Sequence, residues 1–518
     1  MLMAMAPRKK SAGRTILGNS FWYGLETLLE TVVFFGTSIV VARALGPEKL
    51  GYFAYINLFV SVLTSTGGSG LAAATAKYMS QFVGTEQFGL ARAVYNFTYK
   101  YQLLGAVVVT VFGVSGMWFF GDKHFRVMSC ILILSIVPGV MSWVPAQANL
   151  AFEEFSKNAQ SAFGYTLACS AVILLTLHFH WDLVGIASAS LVGRTVEVVL
   201  RTIPLHAKLR GLPLEPLPDE IAKLVRRFCF QAMGIQFLMA VVWNRSELIF
   251  LRRYSTLEQM GFYSTSAGLA SKLLLVPRTF GSATAVTLMV ESSRDPRRVD
   301  SIVKNASRYL LLVAVPVHLG AAAIASDAIR FTYGVRYIGA IPVMVIASIL
   351  SLPLAFQQIP DTLINAADRQ RRIILWLVVT GVLNMGLDWA FIRHHGAVGA
   401  AWGNGLAQGF GLCALWMEAR RYYTFSFPRQ AAARLLLAGS IMAAVAFALV
   451  RTIHGLPGLI AAIAVAAPVY VLLVKLFHGL EASDRLRLSP LGSWLPGPLR
   501  RAYSATIEFV TPPVPSST

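Results

Sequence analysis

The sequence predicts an all-α, polytopic membrane protein. Apolar residues make up 56% of its 518 positions and charged residues only 14%, whereas soluble globular proteins carry about 25% charged residues. Apolar runs of about 20 residues, enough to cross a bilayer as a helix, recur from Ile16 to Phe477. Because hydrocarbon cannot satisfy backbone polar groups, we expect these runs to form about 14 transmembrane helices.

The predicted helices follow a basic N-terminal segment, residues 1–14. The first apolar run, near 15–44, is too long for a signal peptide and no small-residue cleavage site follows it, so we expect a retained helix. The other helices are predicted near residues 50–76, 90–120, 126–151, 157–180, 183–205, 228–252, 258–290, 305–325, 338–366, 372–393, 396–420, 431–451 and 455–477.

The formal net charge of +20 follows this topology. With a cytoplasmic N-terminus, the cytoplasmic segments hold about three times as many Lys and Arg residues as the external ones, which is the positive-inside rule. We therefore predict a protein of the cell inner membrane with both termini in the cytoplasm. Its basic loops are expected to contact membrane lipids, and no nucleic acid.

The cysteines lie singly within apolar runs, at Cys130, Cys169, Cys229 and Cys413. This spacing indicates neither a disulfide framework nor a metal site. We predict small buried side chains at these positions, and we expect no metal and no cofactor.

A proline-rich, basic segment near the middle of the chain predicts a cytoplasmic linker between two halves. Short motifs recur in the same order on its two sides. Since each predicted half has an even number of helices, both halves enter the membrane from the same side and the repeat is parallel. The matched segments are 48–51 with 258–261, 149–154 with 365–370, and 183–188 with 397–402.

The predicted organisation is two pseudo-symmetric bundles of six helices followed by an extra helix pair. The tail, rich in proline and arginine, is expected to be poorly ordered. The predicted segments are a basic N-terminus 1–14, an N-terminal bundle 15–205, a cytoplasmic linker 206–227, a C-terminal bundle 228–421, an extra helix pair 431–477 and a cytoplasmic tail 478–518.

Five motifs carry a family resemblance: Gly18–Trp22, Val41–Phe53, Tyr333–Pro342, Ile364–Arg371 and Gly396–Gly403. In this order they resemble the polysaccharide-transporter branch of the multidrug/oligosaccharidyl-lipid/polysaccharide (MOP) flippase superfamily, to which the O-antigen flippases belong. The resemblance implies two six-helix bundles in a V shape and transport by alternating access. It also implies a substrate of polyprenyl diphosphate that carries a sugar repeat unit.

Two acidic residues of the first helix are candidates for ion coupling. Glu26 and Glu30 lie four residues apart and share one helical face. An ionisable group at mid-bilayer costs at least about 2.5–3.5 kcal/mol unless it faces a cavity or a partner. Two neighbouring carboxylates resist joint ionisation, which fits a proton or cation site. Pairing with basic residues of another helix is an alternative of equal weight.

Three cations of the second half are candidate substrate ligands: Arg245, Lys272 and Arg278. A diphosphate needs several cationic donors, and arginine binds its oxygens bidentately. Glu247 is a further ion-coupling candidate, with neutralisation of a cation as its alternative. Arg278 has the alternative of reaching towards the cytoplasmic side.

Other polar positions in the predicted spans favour structural roles or leave the role open. Arg194 and Glu197 lie three residues apart, and an ion pair is favoured over cavity lining. Asp361, and Asn384 with Asp388, fit cavity lining and interfacial exposure equally well. The run 67–70 lacks the lysine of a phosphate loop, so it predicts a flexible or closely packed point in a helix.

The favoured function is that of a flippase, which moves a polyprenyl-diphosphate-linked oligosaccharide across the cytoplasmic membrane by alternating access coupled to an ion. Glycosyltransferases and a polymerase of a polysaccharide pathway are candidate partners. A peptidoglycan-precursor lipid flippase, or a drug/cation antiporter of the same superfamily, is the alternative. The antiporter would favour an acidic cavity, which the three cations oppose. We do not expect an enzyme, since the short predicted external loops carry no paired carboxylates.

Overall fold

The computed structural model describes residues 12–243, 246–489 and 497–512, and within these ranges it contains helices and no strand. Eleven helical stretches of the described ranges are long and apolar enough to cross a membrane. The prediction of an all-α, multi-pass membrane protein is confirmed. The count of fourteen helices stays a prediction.

The chain divides into two compact units, residues 1–248 and 249–518. The helices of the first unit are α1 (Ala12–Ala74), α2 (Ser80–Gly84), α3 (Phe88–Phe120), α4 (Arg126–Leu134), α5 (Ile136–Met141), α6 (Trp143–Ala151), α7 (Phe155–Phe179), α8 (Asp182–Arg210) and α9 (Asp219–Trp243). The boundary between the units lies within α10 (Glu247–Tyr254).

Among the described residues, the second unit continues the chain with eleven further α-helices. They are α11 (Leu257–Leu273), α12 (Leu275–Arg294), α13 (Arg298–Ala323), α14 (Ala325–Tyr333), α15 (Ala340–Ser351), α16 (Gln358–Ala366), α17 (Gln370–Ala419), α18 (Arg429–Thr452), α19 (Gly455–Leu476), α20 (Ala482–Leu488) and α21 (Gly497–Val510).

Two long elements are each a pair of helices joined by a tight bend. α1 breaks at Gly46, where φ is 76°, and α17 breaks at Gly396, where φ is 54°. Glycine adopts positive φ without a steric penalty. The bends divide each element into the two separate helices that the sequence predicts there.

The connection between α8 and α9 is shorter than the predicted linker, residues 206–227. α8 runs through Pro204 to Arg210, and α9 begins at Asp219. Leu205 and Leu209 are buried in an apolar cluster of the first unit, so packing of the last helical turns outweighs the unfavourable proline. α9 packs against α1 and therefore belongs to the first unit.

The backbone repeats where the sequence motifs repeat. Asp182 and Gly396 directly precede the third pair of matched motifs, and their φ angles are 55° and 54°. Glu153 and Asp368 lie within the second pair, one position apart in its alignment, with φ angles of 58° and 55°. Left-handed residues are rare outside glycine, so their recurrence at or next to matched positions supports the pseudo-symmetric repeat.

The glycine run 67–70 is a closely packed point. A Cβ atom on Gly67 would lie 2.9 Å from Val109 Cγ2, and a Cβ atom on Gly70 would overlap the backbone carbonyl of Cys229. α1 therefore approaches α3 and α9 more closely than any larger residue would allow.

The cysteine prediction is correct for Cys169 and Cys229, which are buried, and wrong for Cys413, which is exposed. Cys413 shares one face of α17 with Phe410 and Met417, which are also exposed. An apolar outer face suits a membrane helix, because lipid solvates it as well as a protein core does.

The extra helix pair, α18 and α19, belongs to the second unit and packs on α13. A Cβ atom on Gly439 of α18 would overlap the side chain of Val315 of α13, so α18 and α13 are in close contact. Tyr470 Oη donates a hydrogen bond to the carbonyl of Leu312 at 3.1 Å. These contacts join the pair to the largest apolar cluster of the unit.

The described part of the tail contains two helices, α20 and α21, so the expectation of poor order is wrong for these residues. Asp484 is fully buried, and its carboxylate accepts hydrogen bonds from Arg308 Nη1 at 2.9 Å and from Tyr309 Oη at 2.6 Å. Glu481 Oε1 lies 2.7 Å from the same arginine nitrogen. The anchoring partners lie far away along the chain, which composition alone does not reveal.

Replacement of Asp484 by alanine should therefore lower the free energy of unfolding of the protein in detergent by about 3–5 kcal/mol, because Arg308 and Tyr309 would lose their buried carboxylate and Arg308 would keep only the exposed one of Glu481. Glu481→Ala is the matched control, since its side chain is 68% exposed and an exposed pair contributes about 1 kcal/mol or less. Chemical denaturation and limited proteolysis of the tail measure both variants. Equal losses would contradict the anchoring role of Asp484.

Candidate functional site

A polar face runs along the second arm of α1, near the middle of that arm. Asn57, Ser61, Thr64 and Ser65 lie on it at spacings of four, three and one residues, which places all four on one side of a helix. The same residues line a cavity of the first unit.

The opposite wall of this cavity comes from a helix that is broken into three pieces, α4, α5 and α6. The breaks fall at Ser135 and Ser142, whose hydroxyls donate to the carbonyls of Leu132 at 2.6 Å and Gly139 at 2.8 Å. Such bonds back to the preceding turn bend a helix. The bent segment presents Ser135, Gly139 and Trp143 to the cavity.

The third wall is α8, which contributes an arginine held by an ion-pair network. Glu197 is buried, and its two oxygens contact Arg194 Nη1 at 2.7 Å and Arg201 Nη1 at 2.8 Å. Arg201 Nε also donates to Ser161 Oγ at 2.7 Å. The guanidinium of Arg194 lies over the ring of Tyr165, 4.6 Å from its centroid. The predicted pair of Arg194 with Glu197 is present, and Arg194 also lines the cavity.

The cavity has a volume of about 240 Å³. Its described lining includes Arg194, whose side chain is 38% exposed, and includes no carboxylate. The lining segments lie near the middle of α1's second arm, of the broken helix and of α8. A polar, cationic cavity at this depth resembles the central sites that transporters form from interrupted helices.

The second unit contributes two exposed cations, Lys272 at the end of α11 and Arg278 in the first turn of α12. Both lie near the middle of one apolar stretch, Leu257–Ser292. Among the described residues neither has an acidic partner within 4 Å. Their role in substrate binding stays a prediction.

The other predicted site residues differ in what the structure describes. Arg245 lies outside the described residues. Glu26 and Glu30 lie in α1, and their side chains are outside the described part. Glu247 is buried at the start of α10. The ion-coupling role of all three acids stays a prediction.

The polar pair Asn384 and Asp388 of α17 is buried inside the protein. Asp388 is fully buried, and Asn384 Nδ2 donates to its carboxylate at 3.1 Å. A Cβ atom on Gly403 would lie 2.9 Å from Asp388 Oδ1, so the two arms of α17 meet at this residue. Asp361 is half-buried on α16.

Sequence reasoning missed two parts of the first unit's site. Arg201 lies at the end of the predicted helix 183–205, and its ion pair with Glu197, four residues earlier, was not recognised. The hydroxyl face of α1 was not recognised, although polar residues at positions 57, 61, 64 and 65 in an apolar run are a helical pattern. That spacing is the signal that could have found it.

Comparison with known proteins assigns the chain to a family. The family profile described as "polysaccharide biosynthesis protein" matches residues 40–342. The chain belongs to this family. A curated relative, the succinoglycan biosynthesis transport protein ExoT of Rhizobium meliloti (strain 1021), is 22% identical over 341 residues, which are 65% of this chain and 64% of ExoT. The match thus spans slightly less than two thirds of the relative's length.

Comparison with solved structures identifies the fold of this chain. The lipid II flippase MurJ in an inward closed conformation superposes with a TM-score of 0.67 at 13% identity, covering 88% of this chain and 98% of MurJ. An inward-facing multidrug resistance MATE family transporter of the MOP superfamily gives 0.65 at 14% identity, covering 76% and 95%. The chain is a multi-pass membrane protein with the MOP transporter fold, and the predicted resemblance is confirmed.

Replacement of Glu197 by glutamine should lower the free energy of unfolding by about 3–5 kcal/mol, because the buried Arg201 loses its carboxylate. Arg194→Gln should lower it by about 1 kcal/mol or less, since this arginine is partly exposed. Unfolding of both variants in detergent, followed by tryptophan fluorescence, measures the difference. If Arg194→Gln proved as destabilising as Glu197→Gln, the main role of Arg194 would be to stabilise the fold.

Proposed function

We propose that this protein is a flippase that moves a polyprenyl-diphosphate-linked oligosaccharide from the cytoplasmic to the external leaflet of the cell inner membrane by alternating access. The family assignment supports a role in polysaccharide biosynthesis, and the MOP fold supports transport. Both termini are proposed to be cytoplasmic, in agreement with the distribution of Lys and Arg residues.

The observation that carries the proposal is the pair of exposed cations, Lys272 and Arg278. A cation that faces lipid at mid-bilayer costs at least about 2.5–3.5 kcal/mol. Both residues lie near the middle of an apolar stretch, so a water-filled path is the favourable environment for them. A diphosphate in that path would meet a point charge from lysine and a bidentate donor from arginine. Arg245 is proposed as the third cation.

The alternatives are less well supported. A drug/cation antiporter needs acidic groups to attract its cargo, whereas the described cavity lining of the first unit carries an arginine and no carboxylate. A peptidoglycan-precursor lipid flippase has support from the likeness to MurJ, but at 13% identity this likeness concerns the fold alone. The family profile favours a polysaccharide precursor.

Lys272→Ala and Arg278→Ala should each slow flipping by at least about tenfold, because a hydrogen bond to a charged group is worth about 1.5–3 kcal/mol; Arg245→Ala should do the same. The measurement is leaflet accessibility of a lipid-linked oligosaccharide in vesicles that contain the purified protein. Arg294→Ala, an exposed arginine in the last turn of α12, is the control and should leave the rate unchanged. Wild-type rates in all three variants, Lys272→Ala, Arg278→Ala and Arg245→Ala, would refute the cationic path.

Glu26 and Glu30 are proposed to couple transport to an ion gradient, with Glu247 as a further candidate. In the same vesicles, an imposed proton or sodium gradient should accelerate flipping by the wild type, and Glu26→Gln or Glu30→Gln should abolish that acceleration, because a neutral amide does not exchange protons or hold a cation. Glu220→Gln, at the exposed start of α9, is the control. Retained acceleration in both variants would exclude these residues from coupling.

A further inference from the structure

The tail helix α21 lies at the level where the apolar helix α19 ends. Lys475 is in the last turn of α19, and its Nζ atom lies 3.7 Å from the centre of the Phe509 ring of α21. α19 is long and apolar enough to cross a membrane, and it ends at Leu476. The end of such a span meets the headgroup layer. α21 therefore lies beside the lipid headgroups and not in bulk water.

The inner face of α21 fixes how the helix is turned about its own axis. Ile507 and Val510 are buried in the largest apolar cluster of the second unit, and Tyr503 packs against the same cluster. Tyr503 Oη also donates a hydrogen bond to the carbonyl of Leu488 in α20, at 3.0 Å. These residues lie four and three positions apart and so share one side of the helix. The other sides of α21 consequently have fixed directions.

A second side of α21 exposes apolar residues next to an arginine. Arg501, Ala505 and Phe509 follow one another at spacings of four residues, with Ala502 beside them, and all four are exposed. We call these four residues the outer strip. Phe509 is 44% exposed although it is a large apolar side chain. Apolar residues flanked by arginine, on a side that the protein leaves uncovered, are typical of helices that lie in the membrane interface.

The cations beside Phe509 lack acidic partners. Among the described residues, no carboxylate lies within 4 Å of Lys475 or Arg501. Arg485 of α20, in contrast, lies 3.4 Å from Glu508 Oε1 and is paired. Unpaired cations at the level of the headgroups attract anionic lipids.

The size of the outer strip favours a lipid over a protein partner. A stable protein–protein interface buries about 800 Å² on each side, which is far more than four residues of one helix provide. A phospholipid needs only a short apolar surface for the upper part of its acyl chains and a cation for its headgroup. The outer strip and Lys475 supply both.

We propose that the outer strip of α21, together with Lys475, is a binding surface for an anionic phospholipid of the bilayer. Phe509 and the two alanines contact the acyl chains near the headgroup, and Arg501 and Lys475 bind the headgroup phosphate. In the proposed topology this surface faces the cytoplasmic leaflet, where anionic lipids create a negative surface potential. The inference does not depend on which substrate the protein transports.

The test uses the full-length protein in vesicles of phosphatidylcholine and phosphatidylglycerol. A fluorophore is attached through Ala505→Cys in a Cys413→Ser background, because Cys413 is exposed. A quencher is carried on the acyl chains of one lipid or of the other, so the ratio of the two quenching efficiencies measures which lipid lies next to the strip. Phosphatidylglycerol should be enriched over phosphatidylcholine at this position. An absence of enrichment would overturn the proposal.

Two neighbouring arginines give the matched variants. Arg501→Gln should lower the enrichment of phosphatidylglycerol about fivefold, since a basic residue near an anionic surface contributes about 1 kcal/mol. Arg500→Gln is the control. Arg500 is also exposed, but it lies nine residues, or about two and a half turns, from Phe509 and therefore on the opposite side of the helix. An equal loss of enrichment in both variants would reduce the effect to net charge and refute the surface.

The apolar part of the surface has a separate readout. Phe509→Ser should weaken quenching by both lipids alike, because the anchoring ring is lost, whereas Arg501→Gln should change only the ratio between the lipids. A fluorophore attached through Ser504→Cys, at an exposed position beside the outer strip, should be quenched less than one at position 505. Equal quenching at positions 504 and 505 would show that α21 does not turn its outer strip to the bilayer.

Discussion

Hydrocarbon solvates neither a peptide group nor a charge, and this constraint explains where the polar residues of the protein lie. A helix satisfies the backbone groups of a span within itself. Buried charges such as those of Glu197 and Asp484 are paired inside the protein. Glu197, between Arg194 and Arg201, is a paired charge, whereas Lys272 is exposed. Paired charges stabilise the bundle, and the exposed ones are those that we propose to act in transport.

Buried acids hold helices together in the second unit as well. Glu418 accepts hydrogen bonds from Trp376 Nε1 at 3.3 Å and Tyr422 Oη at 2.8 Å, and it lies 3.1 Å from Arg421 Nη1. It thereby joins the two ends of α17. Asp484 does the same for the tail on α13. These acids resemble Glu197 in that each accepts from several donors, which is the condition under which a buried charge is tolerated.

The sequence predicted the properties that depend on residues close to one another along the chain. Hydropathy predicted the spans, and the matched motifs around Asp182 and Gly396 predicted a repeat that the backbone reproduces. Properties that depend on distant partners could not be predicted. Asp484 looks like any charged tail residue until Arg308 is found beside it. The last turn of α8 was predicted as linker because the effect of Pro204 is local and strong, while the packing of Leu205 and Leu209 that overrides it is tertiary.

The site was predictable only in part, for a physical reason. The charge of Lys272 or Arg194 is costly in any span and therefore conspicuous in a sequence. A hydroxyl such as that of Thr64 is inconspicuous, because most serines and threonines in apolar helices bond to their own backbone, as Thr66 does. Only the folded structure shows which hydroxyls do not bond to the carbonyls of their own helix.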